Sequence, residues 1–457
     1  MKSKIPVLLA LCLLCLFGTK QSFAQKKEKI KPNPTIEKMV KAVSDGKIED
    51  YIKKLVSFGT RNTLSTQEDK KRGIGAARDW IYDEFMDISK DCGGCLEVQK
   101  QTFLQGKARR VPEPTFLTNV IAMLKGTQSE SVGRTYVVSG HYDSMCSSPT
   151  DATCDAPGAN DDGSGTAAVI EMARVMSKYK FDATIIFMTV AGEEQGLLGS
   201  TYFAEQAKLT NLDIEAMFTN DIIGGVKTFR NASDRNSVRV FSEGVPSDES
   251  EQEANLRRSV GGENDSPARQ LARYINDVAN IYSPKFRVQM IYRRDRYLRG
   301  GDHIPFLERG FPAVRITETH EDYTHQHQNV RTEEGTFYGD TIDYVDFKYI
   351  QSVARINVAA LASLALAPAK PKGVGIVTSN LTNDTELKWE ANREPDLAGY
   401  EIVWRETSSP VWTNSLSVGN VTTHTMKDMS KDNYFFGVRA VDRDGNKSPV
   451  VFPRPTR

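Results

Sequence analysis

Between Asn119 and Asn220 the chain alternates short apolar runs with longer stretches of helical periodicity, and this alternation restricts the fold more than any other feature. "NVIAML", "TYVVSG", "ATIIFMTVA" and "EAMFTN" read as buried strands. "GTAAVIEMARVMSKY" and "GSTYFAEQAK" read as the helices between them. Such alternation predicts an α/β domain with a mainly parallel central sheet flanked by helices. The pattern holds from about Thr35 to Leu366, without an internal repeat, so the domain is placed at 36–366.

The character changes after "APAKPKG", residues 367–373, which reads as a linker. From 374 to 457 apolar and polar positions alternate, with Leu387/Trp389, Tyr400/Ile402/Trp404 and Tyr434/Phe436/Val438/Ala440 each on one strand face. Asn, Asp, Ser and Gly turns separate these strands, which predicts an all-β sandwich. Its Trp, its Tyr-rich middle strand and "YFFGVRAVDRDGNKSP" resemble a fibronectin type III domain. Trp389 and Trp404 are expected in its core rather than as ligand contacts. Surface or polymer contact through this sandwich is left open.

At the other end, Lys2 and Lys4 precede the 13-residue apolar run "IPVLLALCLLCLF", followed by small residues at Ser22 and Ala24. This reads as a cleaved signal peptide over 1–24, too short for a membrane span, with a polar lead-in over 25–35. The expected location is secreted or periplasmic. No later segment is expected to cross a bilayer. Removing the leader leaves 56 basic against 59 acidic residues, so neither nucleic acid nor an anionic membrane is an expected partner. Four cysteines remain, Cys92, Cys95, Cys146 and Cys154, and in an exported protein two local disulfides are expected. A redox Cys-x-x-Cys or a four-cysteine zinc site are the alternatives; no thioredoxin-like context surrounds "DCGGC".

The polar residues that follow the apolar runs carry the chemistry. "TYVVSG" leads into His141, "ATIIFMTVAG" into Glu193 and Glu194, and "EAMFTN" into Asp221. In parallel α/β sheets ligands collect at the carboxyl ends of the strands. The turn "PGANDDGSG" brings Asp161 and Asp162 to the start of a helix, where two adjacent carboxylates repel unless cations neutralise them. Four of the six histidines, His303, His320, His325 and His327, crowd into one later segment. Imidazole with carboxylate and no cysteine suits zinc in a hydrolytic site. One aspartate can bridge two cations about 3.5–4 Å apart.

"GHYDS", "PGANDDGSG", "GEEQGLLGS", the "ND" after a strand, and "GDHIPFLERGFPAV" with a following histidine resemble the secreted di-zinc aminopeptidases. These are zinc exopeptidases related to glutamate carboxypeptidase and glutaminyl cyclase. The resemblance runs from about Asn119 to Leu366. It implies two Zn2+ per chain and a peptide or protein substrate. It implies that His141 and Asp221 hold one zinc, Glu194 and His327 the other, and that Asp161 bridges them. Glu193 is implied as general base, and Asp143 as the carboxylate that orients His141. In this family the peptide bond after the bridging aspartate is cis, a costly arrangement without proline. Gly158 and Gly163 fit such a turn.

The chain departs from the family at "DYTHQHQNV", where the last ligand is usually in a Tyr-His-Thr or Tyr-His-Ser segment. His327 is the expected ligand and His325 the alternative. Asn160 stands where relatives often carry another Asp, and no protease-associated insertion separates "NVIAMLKG" from "TYVVSG". Asp302 and His303 are read either as a wall of the substrate pocket or as a helix N-cap with a buried neighbour. Arg287, Arg293, Arg294, Arg296 and Arg299 are expected on a solvated strand or flap, with capture of a substrate carboxylate as the alternative. Glu318, Glu321 and Asp322 are candidates to meet a substrate ammonium. The resulting expectation is a zinc aminopeptidase. A carboxypeptidase of the same superfamily, a single-zinc glutaminyl cyclase-like acyltransferase and a non-catalytic binding module are the alternatives.

Overall fold

Burial follows the apolar runs. A computed structural model describes residues 32–456; the leader at 1–24 and most of the lead-in lie outside them. The main sheet is built from β1 (Leu96–Gln105), β2 (Thr115–Leu124), β3 (Arg134–His141), β4 (Thr184–Val190), β5 (Asp213–Asn220), β6 (Ser237–Phe241), β7 (Arg287–Ile291) and β8 (Ala313–Glu318). Their spatial order is β1-β2-β4-β3-β5-β8-β6-β7. The four central strands, β4, β3, β5 and β8, run parallel. The margins are mixed: β1 and β2 form an antiparallel pair, β2 opposes β4, and β6 opposes β8. Strands β3, β4 and β8 are buried along their whole length. A parallel sheet with helices on both faces leaves no wet side, hence their near-continuous apolar sequence.

The helices are α1 (Pro34–Ala42), α2 (Asp45–Val56), α3 (Gly73–Asp91), α4 (Gly163–Met176), α5 (Leu198–Leu209), α6 (Glu251–Val260), α7 (Pro267–Tyr282), α8 (Ile304–Leu307) and α9 (Phe347–Leu366). Helix α4 lies in the centre, and small residues let it approach the sheet. A Cβ on Gly140 of β3 would stand 2.6 Å from the carbonyl carbon of Gly165, and one on Gly165 would stand 2.1 Å from the Asn220 carbonyl oxygen of β5. That contact fixes the start of α4 against the ends of β3 and β5. Helix α9 is packed into the core. Among the described residues it is long and apolar enough to cross a membrane, with 78% of its apolar window buried inside the protein. It packs on α1, α2, α4 and α7. Its apolar surface all round belongs to a core helix.

After the hairpin β9 (Arg331–Glu333) and β10 (Thr336–Tyr338), the C-terminal strands are β11 (Gly375–Val377), β12 (Thr385–Lys388), β13 (Leu397–Glu406), β14 (Asn414–Gly419), β15 (Thr423–Met426), β16 (Tyr434–Asp442) and β17 (Arg454–Thr456). They form two sheets, β15-β12-β11-β17 and β14-β13-β16. Leu387, Trp389, Tyr400, Ile402, Phe436, Val438 and Ala440 fill the space between, with Trp404 packed against them. The segment read as a linker is tied down. Arg134 donates to the Ala367 carbonyl at 2.8 Å, and the Ala369 N–H donates to Glu394 at 2.6 Å. The disulfides Cys92–Cys95 and Cys146–Cys154 are both formed.

Candidate metal centre

Three strand ends and one helix start converge. His141 ends β3, Glu193 and Glu194 follow β4, and Asp221 follows β5, all at the carboxyl edge of the parallel strands. The two aspartates before α4 divide their labour. Asp162 faces inward: its Oδ2 accepts from the His141 N–H at 2.9 Å, and its Oδ1 from the Gly165 and Ile222 N–H groups at 3.0 and 3.2 Å. It is the N-cap of α4 and holds β3, β5 and the helix in register. Asp161 faces the opposite way, toward the histidines. The bond between the two aspartates is cis, as the resemblance implies.

Around Asp161 two donor sets form, His141 with Glu193 and Asp221, and Asp161 with Glu194 and His327. Within each, one donor atom per residue lies within 4.8 Å of the others. Asp161 links them with different oxygens. Its Oδ1 is 3.2 Å from His141 Nε2, and its Oδ2 is 2.8 Å from His327 Nε2. His327 Nε2 is also 3.1 Å from Glu194 Oε1, and His141 Nε2 is 3.9 Å from Asp221 Oδ1. His141, Asp161, Glu194 and Asp221 are buried, whereas Glu193 and His327 are partly exposed. The open side of the site is therefore theirs. His325 is turned away, stacked on Tyr344 with ring centroids 3.6 Å apart.

So many carboxylates distort one another's protonation. Burial would lower His141, but Asp143, Asp161, Asp162 and Asp221 hold it charged well above the ordinary imidazole range. His327 is likewise raised against its burial by Glu194 and Asp161. Glu193 is pushed well above the ordinary carboxylate range by burial, with Asp221, Glu194 and Asp302 adding to the effect against His141. A cluster that recruits protons so strongly is one that divalent cations would relieve.

A supporting layer surrounds the donors. Asp143 Oδ2 accepts from the Glu194 N–H and from Thr63 Oγ1, both at 3.1 Å, and Oδ1 accepts from the Glu193 N–H at 3.3 Å. His141 Nδ1 lies 3.1 Å from the Asp143 carbonyl and 3.5 Å from its carboxylate. Asp143 thus positions the Glu pair as much as the imidazole. Asp340 accepts from the Asn160 and Asp161 N–H groups at 2.9 and 2.7 Å. Arg61, fully buried, donates to the carbonyls of Tyr142 and Gly158 at 2.7 and 2.8 Å, joining the His141 strand to the Asp161 turn. Arg315 stands 2.9 Å from Asp221. Sequence reasoning passed over Thr63, Asp340, Arg61 and Arg315, because each is an isolated residue whose partners lie far away in the chain.

The remaining candidates divide. Asp302 and His303 are both buried. Asp302 accepts from Ser200 Oγ at 2.5 Å, and His303 Nε2 lies 2.8 Å from the Arg294 carbonyl. Neither caps α8 with its side chain. Glu321 takes Arg239, Arg296 and Arg299 at 2.7, 3.1 and 2.8 Å, so two arginines of the flap are already paired. A cavity of about 780 Å³ opens beside Asp161, lined by Glu318, Asp322, His325, Gln326, Asp340 and Tyr344 among others.

Residues 119–360 match the model of peptidase family M28. The chain belongs to that family. The M28 span starts in β2 and ends inside α9, so Arg61 and Thr63 lie outside it. Two fungal proteins, each named "Probable zinc metalloprotease", resemble nearly the whole chain. The one from Leptosphaeria maculans is 48% identical over 424 residues, 93% of this chain and 98% of its own length. The one from Pyrenophora tritici-repentis is 47% identical over 426 residues, 93% of this chain and 88% of its own. Matches of that length extend past the M28 span into the flanking segments. The fold is shared with the LapA aminopeptidase of Legionella pneumophila, TM-score 0.51 at 19% identity over 80% of each chain. It is also shared with an aminopeptidase from Aneurinibacillus sp. strain AM-1, TM-score 0.51 at 14% identity, covering 71% of this chain and 95% of that one.

Proposed function

We propose that this M28 peptidase is an exported zinc aminopeptidase that works with two metal ions. The observation that carries the reading is Asp161, whose two oxygens serve two separate donor sets. The donors fit zinc: imidazole and carboxylate without thiolate, with the partly exposed Glu193 and His327 leaving a side open to substrate. His141 and Asp221 would hold one ion, Glu194 and His327 the other, and Asp161 would bridge them. Zinc bound there supplies Lewis acidity and brings the pKa of water down to about 7. Glu193, on the open side, takes the proton from the attacking water and returns it to the leaving amine. Asp143 holds the Glu193 and Glu194 backbone so that base and ligand keep their spacing.

Release from the amino end is favoured over the carboxyl end by charge. Arg296 and Arg299 are committed to Glu321, which takes them from a substrate carboxylate, while Asp322 lines the cavity beside Asp161. The fungal relatives are named as zinc metalloproteases, which supports the zinc hydrolase part of this reading, and the two structural neighbours are named as aminopeptidases. Export rests on the leader-like "IPVLLALCLLCLF" segment and on two disulfides, which belong to oxidising compartments. The domain plan is a peptidase body over 36–366 and a fibronectin type III-like sandwich over 374–457.

The test is a panel of aminoacyl chromogenic substrates with and without chelator, combined with metal analysis. Hydrolysis that stops on chelation, returns with zinc and fails on N-acetylated substrates is expected. Cleavage of N-acetylated peptides from the carboxyl end would overturn the aminopeptidase reading, and a metal content near one per chain would overturn the two-ion reading.

A further inference from the structure

Arg315 is a fully buried guanidinium in the middle of a strand that faces the metal ligands. Its Nη1 lies 2.9 Å from Asp221 Oδ2 and 2.8 Å from the Gly300 carbonyl, and 3.6 Å from Asp295. Asp221 presents its other oxygen, Oδ1, toward His141 Nε2. The carboxylate is therefore split: one oxygen on a permanent cation, the other toward the donor set. Nε and Nη2 of Arg315 are buried without a hydrogen-bond partner, so the guanidinium makes its polar contacts through Nη1 alone, on Asp221, the Gly300 carbonyl and Asp295. The same burial keeps the guanidinium out of reach of substrate.

The second donor set differs. Among the described residues no arginine or lysine pairs with the side chains of Asp161 or Glu194; both face His327 instead. Arg110 donates to the Glu194 backbone carbonyl at 2.6 Å, leaving the carboxylate itself to His327 among the described residues. The two positions are thus unequal in their supporting charge.

We infer that Arg315 is the positioning residue of the His141–Asp221 metal position: it reserves Asp221 Oδ1 for the ion and sets the affinity of that position alone. The inference rests on the two-ion reading above. An outer partner that orients a ligating carboxylate is typically worth about 10–100-fold in metal affinity. Lysine would keep the charge, but an ammonium on a flexible stem would not hold one fixed position between Asp221 Oδ2 and the Gly300 carbonyl.

Zinc-buffered titrations of the full chain, followed by metal analysis, compare wild type with R315M and R315K, with circular dichroism as the check on folding. In R315M one equivalent should bind as in wild type while the other weakens about 10–100-fold, with R315K between the two. Combining R315M with H327A, which cripples the other position, should weaken the ion that remains. Both equivalents unchanged, or both weakened in parallel, would overturn the inference. If R315M does not fold, R315K decides by the same criterion. The wild-type stoichiometry reads the two-ion proposal, and the difference between wild type and variants reads the role of Arg315, so the two can fail separately.

Discussion

Adjacent, chemically identical side chains have opposite duties in this centre. Asp161 and Asp162 differ only in which way the turn points them, one toward the histidines and one into three backbone N–H groups. Glu193 and Glu194 differ likewise: Glu194 is buried against His327, whereas Glu193 reaches the open side. From this follows the prediction for Glu193→Gln. On the two-ion reading proposed above, the amide keeps the shape and leaves His141, Asp161, Glu194, Asp221 and His327 in place but cannot accept a proton, so metal content should be unchanged while kcat falls roughly 10²–10⁴-fold. Metal analysis beside steady-state kinetics checks it; retention of most activity would take the base role from Glu193.

The flap between β7 and α8 is a polar element in which Glu321 gathers two of the arginines, Arg296 and Arg299. Burial alone would raise the Glu321 carboxyl, but Arg296, Arg239 and Arg299 bring it down to about 2. A depressed carboxyl contributes stability that is complete above its unfolded pKa of about 4.3 and is lost as pH falls toward the folded value. Glu321→Gln should therefore be less stable than wild type at pH 7, by on the order of 3 kcal/mol. The gap should begin to close below about pH 4.3. Denaturant melts of the metal-free proteins at several pH values test this, and a gap that stays constant down to pH 3 would exclude the clamp. The element also shows what periodicity conveys. A run of arginines is legible as a solvated flap, but its anchor is not, because Glu321 lies 82 residues along the chain from Arg239 and more than twenty from Arg296 and Arg299.

The C-terminal sandwich is seated on the peptidase body by buried charge. Asp265, just before α7, accepts from Arg273 at 3.0 Å and from Arg405 of β13 at 2.6 Å, and Trp412 donates to Gln270 at 3.0 Å. Asp265→Ala strands two buried guanidinium groups. The loss should be about 3–5 kcal/mol, seen as a lower Tm with the seam as the first part to open in hydrogen exchange. A Tm within a degree of wild type would show that the sandwich is carried by its other contacts. A sequence read for hydropathy announces two bodies and a linker; the packed seam and the tied segment from Ala367 to Ala369 appear only on folding. The contrast holds throughout the molecule. The parallel strands, the order of His141, Asp161, Glu193, Glu194 and Asp221 along the chain, and the paired cysteines are legible directly, since buried strands need continuous apolar runs and ligands follow their ends. Which oxygen of Asp161 faces which histidine, the turning of His327 and not His325 toward Asp161, and the contacts of Arg61, Asp340 and Arg315 depend on distances through space. No local pattern encodes those distances, because each partner is brought in by the sheet and not by its neighbours in the chain.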